Sequence, residues 1–247
     1  MTITVTTKSY SGVGVVRARP AGVAGAFVEV GNVSDIVLQH DIDTQRQPEF
    51  RRSGGGTAIR RSRIEAINAQ MTWLHFSPEN WALAIAGAAH TVTGATATAE
   101  PVKGYPGHFV PLLYPPLAIT SVTETGADPD TFVAGDDYVR VSGGLFIPAD
   151  SAITSGQDLL VTYTYSDHTR IEGAMTSSKV MELHFQGLNE ADSDRPVLVN
   201  FWRMDIPPAQ EVRLINRELG ELSFEAELLS DPTKGTGVSA FYRALLL

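Results

Sequence analysis

Hydrophobic and polar residues alternate with a period of two in residues 34–43, so that one face of this stretch is apolar and the other is polar. Such alternation is typical of a β-strand with one buried face. A second alternating stretch, residues 64–76, predicts a partner strand. Its predicted buried face consists of Ile67, Ala69, Met71 and Trp73.

The segment between these two strands, residues 44–63, is polar and contains three consecutive glycines, Gly54, Gly55 and Gly56. We interpret it as one long loop. A loop of this size in a compact domain is usually functional or disordered. It carries six arginines, which are Arg46, Arg51, Arg52, Arg60, Arg61 and Arg63.

A short helix is predicted over residues 78–89. Ser77 can cap its first turn, Pro78 suits the first helical position, and Glu79 favours the positive end of the helix dipole. Strand, long loop, strand and short apolar helix therefore form the core unit of the first half of the chain.

The texture of the sequence changes after this helix. Residues 91–103 are mostly Ala and Thr and are interpreted as a linker, and residues 105–170 contain short strands separated by Pro and Gly, as in a small β-rich module. Alternation returns later in the chain, at residues 179–186, 196–206 and 218–229. In the second of these stretches Phe201 and Met204 are predicted on opposite faces, and in the third the predicted buried face is Leu222, Phe224, Ala226 and Leu228. We therefore expect a mainly β fold, a β-sandwich or barrel with one short flanking helix. Its predicted parts are residues 1–103, an inserted module at 104–172, and residues 173–247.

Charge is spread unevenly along the 247 residues, whose formal net charge is −9. Residues 1–63 carry nine Lys or Arg and five Asp or Glu, whereas residues 64–247 carry ten and twenty-three. An acidic body disfavours nucleic-acid binding, because phosphate contacts need Lys and Arg. The arginine-rich loop is then a solvated loop, a nucleic-acid patch, or a loop that docks on the acidic surface of another copy. Phe50 is its one aromatic residue, too few to stack on single strands, and the acidic body favours self-docking.

The sequence contains no recognisable motif of a catalytic or metal-binding site. The chain has no cysteine, and its six histidines lack the spacing of a metal site. Neither a nucleophile elbow nor a phosphate-binding loop occurs. No apolar run approaches the roughly 18 residues that span a bilayer, and no secretion signal is recognisable. We expect no catalytic residue, no metal, no cofactor and no membrane partner, and hence no enzyme.

The order of the predicted elements along the chain resembles that of a known protein family. Residues 30–34, the alternating strand at 35–45, the long loop, and Ser77-Pro78-Glu79-Asn80 at the start of a helix resemble the major tail tube protein of long-tailed bacteriophages. In the second half, Phe185-Gln186-Gly187 ends a strand as in that family. Residues 197–206, Pro207-Pro208 and residues 219–231 resemble its closing strands. The resemblance covers roughly residues 25–90 and 175–235.

The resemblance implies a structural virion protein. Such subunits form hexameric rings that stack into a hollow tube, made in the host cytoplasm and built into the siphovirus tail. The tube holds the tape-measure protein and then conducts double-stranded DNA during genome ejection, with tail terminator and distal tail proteins at its ends. The loop at residues 44–63 would make the contact between rings. Arms at residues 1–12 and 235–247 would add contacts between subunits.

A conduit for DNA is expected to repel phosphate, so that the genome slides without being gripped. Carboxylates on the polar faces of the predicted strands suit this role. A subset of the following residues is therefore expected to face the lumen: Asp35, Asp41, Asp43, Glu182, Glu221, Glu225 and Glu227.

Two alternatives stay open. One is a β-rich carbohydrate- or receptor-binding module of a phage tail, with the inserted module as its working surface. The other is a secretion-system tube protein, although that class usually lacks a large inserted module. The tyrosines that could serve as sugar platforms are Tyr105, Tyr114, Tyr138, Tyr163 and Tyr165.

Overall fold

The computed structural model describes residues 9–51, 53–126 and 129–247. These residues contain sixteen β-strands and one α-helix, which confirms the expected mainly β fold class. The chain divides into two compact units, the residues up to Ala89 together with Ile171–Leu247, and His90–Arg170. Within the described ranges, the α-helix is far too short to traverse a lipid bilayer.

The elements follow one another along the chain with short connections. In order they are β1 (Gly12–Pro20), β2 (Val28–Gly31), β3 (Val33–Pro48), β4 (Thr57–Trp73), α1 (Pro78–Ala84), β5 (Ala88–Val92), β6 (Ala95–Gly104), β7 (Phe109–Pro111), β8 (Ala118–Glu124), β9 (Val139–Val141), β10 (Gly144–Phe146), β11 (Gln157–Tyr165), β12 (His168–Glu172), β13 (Lys179–Asn189), β14 (Arg195–Ile206), β15 (Leu222–Leu228) and β16 (Tyr242–Leu246). A 3-10 helix, Glu190–Asp192, separates β13 from β14. β5 and β12 pair with each other in a separate two-stranded sheet.

One antiparallel sheet makes up most of the first unit. Its strand order is β2-β1-β13-β14-β15-β4-β3, and β16 pairs with the first half of β14. Only Asn32 separates β2 from β3 in sequence, although they lie at opposite ends of this order. The sheet therefore curls until its two ends meet, and its inner face encloses one hydrophobic core.

The predicted buried faces of two strands are confirmed. Ile67, Ala69, Met71 and Trp73 of β4, and Leu222, Phe224, Ala226 and Leu228 of β15, are each at most 2% exposed. These strands pair in register, and the ring centroids of Trp73 and Phe224 lie 4.9 Å apart. The alternating apolar residues of these two strands thus form a large part of the hydrophobic core.

The prediction that residues 44–63 form one long loop is wrong, because strands occupy both ends of this segment. β3 continues to Pro48 and β4 begins at Thr57, with register pairs from Val33↔Trp73 to Pro48↔Thr57. The described residues between Pro48 and Thr57 belong to neither strand and form the tip. The outer half of this hairpin is solvent-exposed on both faces, so its sequence carries no hydrophobic alternation that would reveal strands.

A β-bulge changes the expected face of Met204. The sequence predicts Met204 opposite to Phe201, yet both are buried in the same core. Leu183 pairs with Phe201 and Met181 pairs with Met204, so β14 takes three residues where β13 takes two. The extra residue turns the end of β14 over and brings Met204 inward.

The helix α1 ends earlier than predicted, at Ala84 rather than near residue 89. Ser77 accepts the predicted capping bond from the backbone N of Asn80, at 3.1 Å. Asn80 is buried, and its amide nitrogen donates to the carbonyls of Val30 at 2.7 Å and His75 at 2.8 Å. These bonds fix the helix N-terminus to β2 and to the segment that precedes the helix.

The second unit, His90–Arg170, contains two three-stranded sheets, β6-β11-β8 and β7-β10-β9, around its own core. The unit begins before residue 104, where the inserted module is predicted to start. Residues 91–103 are not a linker, because β6 pairs with β11 from Ala95 to Gly104. Small Ala and Thr side chains conceal this strand in the sequence.

The expected C-terminal arm is also corrected. Within residues 235–247, β16 pairs with β14 of the same copy, from Tyr242↔Phe201 to Leu246↔Val197. The Tyr242 hydroxyl lies 3.2 Å from Nε2 of His40. Of the N-terminal arm expected at residues 1–12, residues 1–8 lie outside the described residues, and Gly12 already belongs to β1.

Candidate functional site

The outward faces of β3, β4 and β15 form one continuous polar surface, which we call the acidic face. Val37, Gln70 and Glu225 lie side by side across the three strands. In the next row Gln39 and Asn68 lie beside Glu227, which faces Asp205 of β14. The members of the acidic face that carry charge are Asp35, Asp41, Asp205, Glu225 and Glu227.

β3, β4 and β15 contribute no cation to the acidic face, and on β14 Arg203 lies two residues before Asp205 and donates to the carbonyl of Ser230. Residues 33–41, 66–73 and 222–228, which build it, contain neither Lys nor Arg. Asp41 accepts a hydrogen bond of 2.8 Å from the Asn68 amide, which aligns this carboxylate without neutralising it. Asp35, Asp41, Glu225 and Glu227 are exposed to solvent. The carboxylates of β3 and β15 therefore form a field of negative charge with no Lys or Arg on the same stretches of strand.

The structure separates Glu182 from the other predicted lumen residues. Glu182 lies on β13, beside Arg19 of β1, and its Oε2 is 2.7 Å from Nη2 of Arg19. The Arg19 guanidinium also covers the Phe27 ring at 4.3 Å from its centroid. Glu182 is thus a neutralised structural residue.

Two further predicted residues lie at the margins of the acidic face. Asp43 is 3.8 Å from Nε of Arg63, at the point where the hairpin leaves the body. Glu221 is exposed and directly precedes β15. Asp205, which the sequence pattern did not reveal, joins the face because the bulge in β14 turns the end of that strand over.

Four of the arginines expected in a loop lie on the two strands of the hairpin. Arg61 and Arg63 share the side of Asp43, and a small polar cleft is lined by these three residues and Gln45. Arg46 and Arg60 lie directly opposite each other on the other side. All four arginines are exposed. The hairpin therefore presents positive charge on both faces.

The hairpin tip is open. Gly54, Gly55 and Gly56 adopt positive φ angles of 125°, 69° and 124°, which favour glycine, and nothing lies within 4 Å of a Cβ added to them. Hydrogen bonds from Arg51 lower the pKa of Glu49 below its ordinary value. The Phe50 side chain is 85% exposed. Arg52 lies outside the described residues.

Three strands of the first unit have an open edge. β2, β3 and β16 each pair on one side only among the described residues. An open edge offers unpaired backbone N–H and C=O groups to another chain. β3 is the longest of the three, at 16 residues.

The tyrosines of the second unit divide into two groups. Tyr138 and Tyr163 are buried and cannot contact a ligand. Tyr114 and Tyr165 are half-buried and stacked, with ring centroids 4.2 Å apart, and His168 lies 5.6 Å from the Tyr114 ring. Tyr105 is exposed. Only Tyr105, Tyr114 and Tyr165 remain as possible sugar platforms.

Comparison with known proteins places the chain in a family without assigning an activity. Within the described residues, no group of three or more His, Asp or Glu is arranged to hold a metal ion. No curated protein matches the chain. A family model described as "Protein of unknown function UCP028589" matches residues 9–245, nearly the whole sequence, and the chain therefore belongs to this family.

Proposed function

We propose that this protein is a tail tube subunit of a long-tailed bacteriophage, which assembles into stacked hexameric rings and forms the channel for genome ejection. In this proposal its location is the virion tail. The tape-measure protein and double-stranded DNA occupy the bore in turn, without specific binding. Tail terminator and distal tail proteins cap the two ends.

The observation that carries the proposal is the acidic face. Duplex DNA carries about one negative charge per 1.7 Å of its axis. Asp35, Asp41, Glu225 and Glu227 project from adjacent strands without a single Lys or Arg among them. A bore lined by this face repels phosphate and lets the genome slide. We assign the acidic face to the lumen.

The projecting hairpin supports contacts between rings. Seven residues of β3, from 42 to 48, extend beyond the buried part of the strand, which corresponds to roughly 20 Å at 3.3 Å per residue. Neither face of this projection packs on the core of its own unit. Its arginines are complementary to the acidic body of another copy, and attraction between them holds successive rings together.

Open strand edges support ring closure. A free edge on a soluble protein invites pairing with other chains, and natural proteins normally protect it. A closed ring gives each edge a partner from the neighbouring subunit. The long free edge of β3 lies next to the acidic face, so pairing there would join the acidic faces of successive subunits around one bore.

Size-exclusion chromatography followed by negative-stain electron microscopy tests the proposal. The purified protein is expected to elute as rings or longer assemblies at high concentration and to show annular particles with a central hole. A compact monomer at every concentration would contradict it.

A second candidate function rests on the stacked pair Tyr114 and Tyr165. Half-exposed aromatic rings suit the apolar face of a sugar, so the second unit is a candidate carbohydrate- or receptor-binding module. A monomer that binds glycans, and loses that binding when Tyr114 is replaced by Ala, would favour this function over the tube.

A further inference from the structure

The connection between β14 and β15 exposes three large aliphatic side chains. Leu214 is 81% exposed, and Ile215 and Leu219 are each 98% exposed. These residues lie within six positions of one another at the tip of the connection. Isolated exposed aliphatic residues are common, but three almost fully exposed ones in one short segment indicate a contact surface.

The base of this connection is held firmly on the first unit. The backbone N of Ala209 donates to the carbonyl of Ala84 at 2.8 Å, and Ala209 and Val212 pack against the hydrophobic core. Only the segment from Leu214 to Leu219 stands away. We call this segment the aliphatic tip.

A cleft lined by apolar and polar residues in similar measure lies elsewhere on the same unit, between β1 and β3. It has a volume of ≈ 430 Å³, well above the ~150 Å³ cavity that holds a benzene ring. Its wall includes Val13, Ile36, Leu38, Phe185 and Phe201, and Asp35 lies at its border. The connection that bears the aliphatic tip contributes no residue to the lining of this cleft.

We propose that the aliphatic tip of one copy inserts into the cleft of the neighbouring copy and forms a contact between subunits within a ring, in addition to pairing at the β3 edge. This inference rests on the proposed function. A projection and a complementary cleft on different parts of one chain make a head-to-tail contact, which closes into a ring when the rotation permits.

Charge supports a second copy as the occupant of the cleft. Arg217 lies inside the aliphatic tip and is exposed, and the one carboxylate of the tip, Glu218, interacts electrostatically with Arg213 of the same connection. Asp35 is exposed at the border of the cleft, where the Ser34 hydroxyl donates to its carboxylate at 3.3 Å. Insertion of the tip into the cleft can bring Arg217 of one copy to Asp35 of the next, while the aliphatic side chains of the tip are removed from solvent.

Charged substitutions in the tip test the inference without disturbing the core. Ile215→Asp together with Leu219→Asp is expected to abolish rings and leave a folded monomer. Leu113→Asp, at a 70% exposed position of the second unit, is the matched control and is expected to assemble like the wild type. Rings of unchanged abundance in the double variant would overturn the inference while leaving the proposed function standing. A wild-type protein that never assembles would overturn both.

Cross-linking between introduced cysteines identifies the occupant of the cleft directly. The chain has no cysteine of its own, so only the introduced positions react. An Ile215→Cys protein is mixed with a Val13→Cys protein and treated with a short bismaleimide. The expected product is a covalent dimer. Val37→Cys is the matched control, because Val13 and Val37 are 46% and 44% exposed and only Val13 lines the cleft. Equal or preferential coupling to Val37→Cys, or coupling to neither, would contradict insertion into the cleft.

Discussion

The ring of Phe185 covers Gly187 two residues further along β13. A Cβ added to Gly187 would collide with Cζ of Phe185 and would lie 2.7 Å from the backbone oxygen of Val13. Gly14 is the register partner of Gly187 on β1, and a Cβ there would collide with the carbonyl oxygen of Gln186. The Phe-x-Gly pattern at the end of this strand thus has a physical cause, since an aromatic ring fills the space that a side chain would need.

Replacement of Gly187 by Ala is therefore expected to lower the free energy of unfolding by about 1–3 kcal/mol, as overpacking does. Gly235 is the matched control, because nothing lies within 4 Å of its added Cβ. Gly235→Ala is expected to be neutral or slightly stabilising. Denaturant unfolding of both variants checks this, and equal stabilities would refute the close packing of Phe185 on Gly187.

The Arg19–Glu182 pair is expected to stabilise the fold rather than to serve the bore. Glu182→Ala leaves the partly buried Arg19 guanidinium without its acceptor, and we expect a loss of about 1–2 kcal/mol. Glu225→Ala, at an exposed position of the acidic face, is expected to change stability by less than about 0.5 kcal/mol. Thermal unfolding measured side by side distinguishes them. A larger loss at Glu225 than at Glu182 would reverse the two assignments.

Lysines on the acidic face are expected to make assembled tubes bind DNA. In a variant that combines Glu225→Lys and Glu227→Lys, each new phosphate contact adds about −0.9 to the slope of log K against log salt. Gln at positions 225 and 227 removes the charge and is expected to give only weak binding. DNA binding to tubes at several salt concentrations measures this. Tight binding by wild-type tubes would contradict a repelling bore.

Reversal of the hairpin charge is expected to separate ring formation from stacking. Arg46 and Arg60 face each other across the hairpin, so Arg46→Glu with Arg60→Glu exchanges one like-charge pair for another. The hairpin's own stability should change little, while attraction to a neighbouring acidic body is lost. Electron microscopy is expected to show single rings. Arg46→Lys with Arg60→Lys should still give tubes, and tubes of wild-type length in the Glu variant would refute the proposed role.

The stability of the second unit is expected to fall in strong alkali because of Tyr163. Its hydroxyl donates to Oε2 of Glu100 at 2.5 Å and accepts from the backbone N of Tyr114 at 3.1 Å. Burial, with the bond to Glu100, raises the pKa of Tyr163 from 10.0 to about 12.

A raised pKa favours the protonated form in the folded state, so this stabilisation is complete below pH 10 and is lost as the pH rises through about 12. A tenfold difference in proton affinity between the folded and unfolded states corresponds to about 1.4 kcal/mol of stability. Tyr163→Phe in the full chain is expected to be less stable at neutral pH and to lose less between pH 10 and 12. Urea unfolding across this range tests it, and identical pH profiles would show that Tyr163 is not the responsible group.

The sequence predicts strands well where one face is buried and poorly where neither is. Phe224 and Met71 lie inside as expected, because burial of alternate residues leaves a period-two pattern. The outer hairpin around Arg46 and Arg60 is exposed to solvent on both faces, so no hydrophobic alternation distinguishes its strands from a loop. The strand from Ala95 to Gly104 is concealed for a different reason, since its small residues carry little hydrophobic signal.

The candidate site is predictable only in part. Glu225 and Glu227 lie on the expected face. Glu182 also follows the expected alternation, but it forms an ion pair with Arg19, on a strand distant in sequence. Asp205 was missed because a bulge, invisible in the sequence, inverts the end of β14. Long-range pairing and local irregularity therefore decide which carboxylates remain uncompensated.

The most direct test of the central claim is a cryo-electron microscopy reconstruction of the purified protein at concentrations where it assembles. We expect six subunits in each ring, with Glu225 and Glu227 projecting into the bore. Rings whose bore is lined by another surface, or a protein that remains a solitary particle at every concentration, would contradict the account.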